Sequence, residues 1–99
     1  MTPLGQQVVK VRSKNAGPFW VTIDIFCGDA PTFARIVPAL DTGRVAALYA
    51  TPLQTMKRFD IPDLCVIKFI LPRPVVRGSR EDRDMHGAQW AALLEELPV

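Results

Sequence analysis

The chain has 99 residues, 48% of them hydrophobic, and a formal net charge of +2. That length suits a single domain over residues 1–99 with a modest core, and so small a charge speaks against nucleic acid, which calls for clustered basic stripes. No run reaches the roughly 18 apolar residues that cross a membrane, and the beginning of the chain has no apolar signal core, so a cytoplasmic protein is expected.

Val9 to Lys14 alternates, with Val9, Val11 and Ser13 to one side and Lys10, Arg12 and Lys14 to the other, which is the period of a strand; a short helix ending near Lys10 is the alternative. Phe19 to Cys27 is a stronger strand, placing Phe19, Val21, Ile23 and Ile25 on one face and Trp20, Thr22, Asp24 and Phe26 on the other. Asp29 reads as a helix N-cap with Pro31 in the first turn of a helix running to about Leu40. Asp41-Thr42-Gly43 breaks that helix, and Val45 to Ala50 reads as a second, shorter one. Met56 to Phe59 is a short strand ended by Asp60-Ile61-Pro62-Asp63.

Leu64 to Leu71 is the second strong strand, with Cys65, Ile67, Phe69 and Leu71 on one face. Pro72-Arg73-Pro74 ends it, Val75-Val76 extends it after the break, and Arg77 to Arg83 is a charged loop. The last helix starts between Asp84 and Gly87, and Trp90, Leu93, Leu94 and Leu97 form its apolar stripe. Together these elements predict an α+β fold, ferredoxin-like, with an antiparallel or mixed sheet of three to five strands and helices on one face. Cys27 and Cys65 each sit inside an apolar run, without the Cys-x-x-Cys or His spacing of a zinc site, and read as buried free thiols. A mean hydropathy of +0.13 leaves surplus apolar surface, which points to a partner, a homo-oligomer being one form of it.

Four places carry candidate chemistry. Arg12, Ser13, Lys14, Asn15 and Gly17 put two cations, two small polar groups and a freely turning backbone in one segment, suited to a carboxylate or phosphate; the competing reading is a polar turn. Asp24 and Lys68 are charges in the middle of apolar strands, which calls for a cross-strand ion pair, outward orientation or, for Lys68, a role as catalytic base or anion binder. Arg73, Gly78 and Ser79 lie in an arginine-rich segment ahead of a helix, but nearby acids partly cancel its charge. His86, the one histidine, stands two residues from Asp84, which either orients it as a base or caps the helix backbone; no nucleophile accompanies it. Metal ligands are too few for a site, and no Gly-rich phosphate loop is present.

Arg12-Ser13-Lys14-Asn15-Ala16-Gly17-Pro18, followed by Thr22-x-Asp24-x-Phe26, resembles a family of small proteins of unknown function associated with the acyclic-terpene-utilisation protein AtuA. Ile67-Lys68, Leu71-Pro72-Arg73-Pro74-Val75-Val76-x-Gly78-Ser79 and Asp84-x-x-Gly87-Ala88-Gln89 continue the resemblance along nearly the whole chain. The chain is also similar to the C-terminal ferredoxin-fold domain of longer AtuA-like proteins, which have Ser-Gly-Asp-Lys-Gly at Ser13 to Gly17 and Asp-x-x-Gly-Lys at Asp84 to Ala88. The resemblance implies a ferredoxin-like fold and a large AtuA-like subunit as partner, in a lyase, hydratase or isomerase complex of organic-acid or acyl-CoA catabolism. No cofactor is implied, and acyl-CoA is a candidate substrate. The carried-over positions are Arg12, Ser13, Lys14, Asn15, Gly17, Asp24, Lys68, Arg73, Gly78, Ser79, Asp84, Gly87 and Gln89. Lys14-Asn15 brings no acid to the first motif and Ala88 replaces the lysine of the second, so roles resting on those two groups do not carry over.

Overall fold

A computed structural model describes residues 2–72 and 90–99. The first strand, β1, is Lys10–Asn15 and the second, β2, is Trp20–Phe26. Their alternation is the expected one. In β1, Val11 and Ser13 are buried while Lys10, Arg12 and Lys14 are exposed; in β2, Val21, Ile23 and Ile25 are completely buried. Phe19 does not join that buried face. It lies in the β1–β2 connection and is 74% exposed, as is Val9, which precedes β1. A 3-10 turn over Leu4–Gln6 takes the place of the helix considered near Lys10.

Asp29 caps helix α1, Ala30–Ala39, by accepting the Thr32 N–H at 2.8 Å, a bond that holds the Asp29 carboxyl below its ordinary range. Asp41 does more than break the helix. Its carboxylate accepts the Arg44 N–H and starts α2 at once, over Thr42–Leu48 rather than Val45 to Ala50. Strand β3, Lys57–Ile61, continues through Asp60, because the reversal comes later, over residues 62–65. Cys65 closes that turn with a positive φ of 53°. It is half-buried and outside strand β4, Val66–Pro72, so only Cys27 is a fully buried thiol; Cys65 packs at the margin of the core that Ile67, Phe69 and Leu71 share. The last described helix, α3, is Trp90–Glu95. Its buried side is Trp90, Ala91 and Leu94, and Leu93 is 39% exposed, so the packed stripe runs through Ala91 where Leu93 was expected. Val75-Val76, the charged segment from Arg77 and the helix start near Asp84 lie outside the described residues.

The four strands form one sheet, ordered β1-β2-β4-β3, with every neighbouring pair antiparallel. Because β2 and β3 both run antiparallel to the β4 strand between them, they are parallel to each other, and α1 and α2 make the crossover. This split βαβ unit gives the α+β fold its ferredoxin-like sheet. Ile36, Val45, Ala46 and Leu94 of the three helices join Val21, Ile23, Ile25, Ile67, Phe69 and Leu71 in one core. The described helices therefore pack on one face of the sheet. The two ends of the described chain meet beside it: Leu4 N–H donates to the Leu97 carbonyl at 2.8 Å and Val99 N–H to the Thr2 carbonyl at 3.0 Å.

Candidate anion pocket on the open face of the sheet

The residues that alternate away from the core line up across the sheet. Arg12 pairs with Asp24, Asp24 with Lys68 and Lys68 with Phe59, one residue from each strand in a single row. Of the alternatives the strand pattern leaves open for Asp24 and Lys68, outward orientation and a cross-strand ion pair are both present, with Lys68 Nζ 4.0 Å from Asp24 Oδ1. Both ends remain partly exposed, 38% for Lys68 and 25% for Asp24, so the pair holds geometry rather than adding much stability. Toward β1 the same face is hollowed into a pocket of about 120 Å³, lined by Arg12, Ser13, Lys14, Asp24 and Phe26.

The Arg12–Gly17 segment is not a loop along its length. Arg12 to Asn15 complete β1, and only the residues after them turn, with the Ala16 N–H donating to the Trp20 carbonyl at 2.8 Å and Gly17 at φ +78°. Strand alternation therefore divides the motif. Arg12 and Lys14 point to the open face. Ser13 faces the helices, where its hydroxyl accepts the buried Ala91 N–H at 2.8 Å. Asn15 is exposed at the end of the strand. The structure thus brings Arg12, Lys14, Asp24 and Lys68 onto one face, turns the Ser13 hydroxyl toward the helices, and leaves Asn15 at the end of β1 and Gly17 in the turn after it. Arg73, Gly78, Ser79, Asp84, His86, Gly87 and Gln89 lie outside the described residues.

Two cations beside one carboxylate and one aromatic ring form a candidate site, with the chemistry to hold an anion carrying a second polar group. Arg12 offers a planar fork and Lys14 a point charge, Asp24 accepts a hydroxyl or ammonium, and Phe26 supplies an apolar wall. The buried Cys27 thiol is pushed above its ordinary pKa, chiefly by burial, which keeps it protonated and unreactive. Among the described residues no group of three or more His, Cys, Asp or Glu side chains gathers as metal ligands. No described helix is long and apolar enough to cross a membrane.

Two polar residues that the sequence does not single out have defined jobs. Arg58 of β3 donates to the Val37 carbonyl at 2.8 Å, to the Leu40 carbonyl and to Thr42 Oγ1 at 3.0 Å, filling the open carbonyls at the end of α1. Tyr49, at the end of α2, donates its phenol to the Trp90 carbonyl at 2.5 Å and stacks edge-on against the Trp90 ring. Neither contact has a local signal, because each joins elements distant in the chain.

Fold and site together define an α+β domain whose ferredoxin-like sheet is covered by helices on one face and carries a basic pocket on the other. The chain belongs to the family described as Domain of unknown function (DUF4387), whose profile matches residues 4–98. No curated protein and no solved structure matches it.

Proposed function

We propose that this domain is a small accessory subunit of a heteromeric, cytoplasmic AtuA-like enzyme complex, of lyase, hydratase or isomerase type in organic-acid or acyl-CoA catabolism. Its contribution is to hold an anionic group of the substrate, a carboxylate or an acyl-CoA phosphate, while the large subunit supplies the chemistry. The observation that carries this reading is the convergence of Arg12 and Lys14 beside Asp24 and Phe26 in one pocket.

Calorimetric titration of the purified two-subunit complex with acetyl-CoA and with small hydroxy acids tests the reading. A charge-assisted hydrogen bond contributes about 1.5–3 kcal/mol, so Arg12→Ala and Lys14→Ala each weaken binding by about tenfold or more, since 1.4 kcal/mol is a factor of ten, and the mass of the complex is unchanged. Wild-type affinity in both variants removes the pocket from the function. A second reading, a purely structural module, is favoured by the Ser13–Ala91 bond, since that part of the motif fastens α3 to β1. On that reading Arg12→Ala and Lys14→Ala leave ligand binding unchanged, while Ser13→Ala lowers stability.

A further inference from the structure

The helices bury one face of the sheet, and the opposite face combines exposed aromatic surface with an excess of positive charge. Phe59 of β3 is 46% exposed and Trp20 of β2 is 41% exposed, and both alternate to this face. Between them, on the same side of the central strands, Phe26 and Ile70 are half-buried, and Thr22 and Val66 are already buried. The charges sit mostly at the rims: Lys10, Arg12 and Lys14 along β1, Lys57 on β3, with Lys68 inside opposite Asp24. Asp60 does not offset them, because it alternates to the helical side and pairs with Arg58 at 2.8 Å. Partly exposed aromatic side chains beside a cationic edge are features that recur in protein interfaces.

The charge pattern selects the occupant. A second copy laid face to face would set cations on cations around a central strip, with Asp24 as the one carboxylate among the described residues of this face, and like charges across an interface cost several kcal/mol. A nucleic-acid strand needs neighbouring rings on which successive bases stack. Trp20 and Phe26 instead stand at opposite ends of β2, about 20 Å apart at ~3.4 Å per residue, and the centre holds β-branched side chains and an acid. From this we infer that the open face of the sheet is the docking surface for the larger subunit, and that the subunit meets it with an apolar ridge flanked by carboxylates. This inference rests on the accessory-subunit reading and adds the surface and its chemistry. Docking there also covers the Arg12–Lys14 pocket, so the anion is held in a dry, two-subunit site where each charge acts more strongly than in water.

The test is affinity between the full chain and the AtuA-like subunit proposed as its partner, by biolayer interferometry at about 50 and about 300 mM salt. The open-face variants are Lys10→Glu with Lys57→Glu, and separately Phe59→Ala; none of these residues lines the pocket. Ala34→Glu, on the exposed side of α1, is the control. The inference expects the double charge reversal to weaken binding at least tenfold at low salt and to flatten its salt dependence, Phe59→Ala to weaken it about tenfold, and the control to bind as wild type. A complex indifferent to the open-face variants overturns the docking surface and leaves the accessory-subunit reading standing. Failure of the wild-type chain to bind that subunit overturns both. A homodimer of the chain alone, or binding of fluorescein-labelled oligouridylate, that is abolished by these same variants would assign the face to another occupant and overturn the inference.

Discussion

Replacing Arg58 by alanine removes a side chain that ties the outer strand β3 to the end of α1. Its side chain is 16% exposed. It meets the carbonyls of Val37 and Leu40, the Thr42 hydroxyl and, on the strand itself, the Asp60 carboxylate at 2.8 Å. It also lies over the Phe69 ring, 5.6 Å from its centroid. Hydrogen bonds from a charged donor contribute about 1.5–3 kcal/mol each. Water reaches this group and substitutes in part, so the two carbonyl bonds together are taken near the low end, about 3 kcal/mol. The ring contact adds about 0.5–1 kcal/mol, and the pair with the more exposed Asp60 about 0–1 kcal/mol.

Arg58→Ala is therefore expected to cost about 3.5–5 kcal/mol and, at about 4–8 °C per kcal/mol for a domain of this size, to lower Tm by at least about 14 °C. Arg58→Lys keeps the charge and the Asp60 pair but replaces a fork with a point; it should lose about 2 kcal/mol. Asp60→Ala should lose less than about 1 kcal/mol. Urea unfolding followed by circular dichroism measures all three. An Arg58→Ala protein within about 0.5 kcal/mol of wild type, or an Arg58→Lys protein indistinguishable from wild type, would refute the claim that the carbonyl bonds carry the effect.

Three further outcomes follow from the packing. Ser13→Ala strands the buried Ala91 N–H and should cost about 1–3 kcal/mol in the same urea assay; no loss means the bond contributes nothing. Tyr49 is the only tyrosine, and burial holds its phenol above the ordinary value of 10.0. Its folded pKa is raised, so stability is complete below pH 10 and falls as the pH rises beyond it, where the unfolded chain ionises first; absorbance at 295 nm should stay flat past pH 10 until unfolding, and a simple titration at 10 would contradict the buried phenol. Gly28 has φ +96° and a Cβ there would lie 2.5 Å from Val9 Cγ2, whereas Gly17 at φ +78° has open space around it. Alanine at Gly17 should cost only the left-handed backbone term of about 1–2 kcal/mol, alanine at Gly28 more, and Val9→Ala should recover the excess; equal losses at both glycines would discard the steric part.

Much of this fold was legible in the chain. Strand periodicity in β2 and in the Ile67–Leu71 part of β4 follows from side chains alternating across a pleat, and Asp29 with Pro31 marks α1 because capping is local chemistry. The Asp24–Lys68 pair was readable for a related reason: two charges at the centres of strong strands have few other ways to be satisfied. The end of β3, the turn at Cys65 and the start of α2 at Thr42 were not, since each depends on where the chain must reverse to dock on its neighbours.

By itself, then, the sequence determined the elements, the helices-on-one-face α+β class and the residue types able to bind an anion, because these rest on interactions within a few positions of each other. Only the tertiary structure decided which of those residues act together. Alternation along β1 sends Arg12 and Lys14 to the open face and Ser13 to the helices, and the antiparallel register sets Arg12, Asp24, Lys68 and Phe59 in one row. Register is a property of strand pairing across long separations. It is settled by burying one face of every strand at once, which no local stretch of the chain can specify.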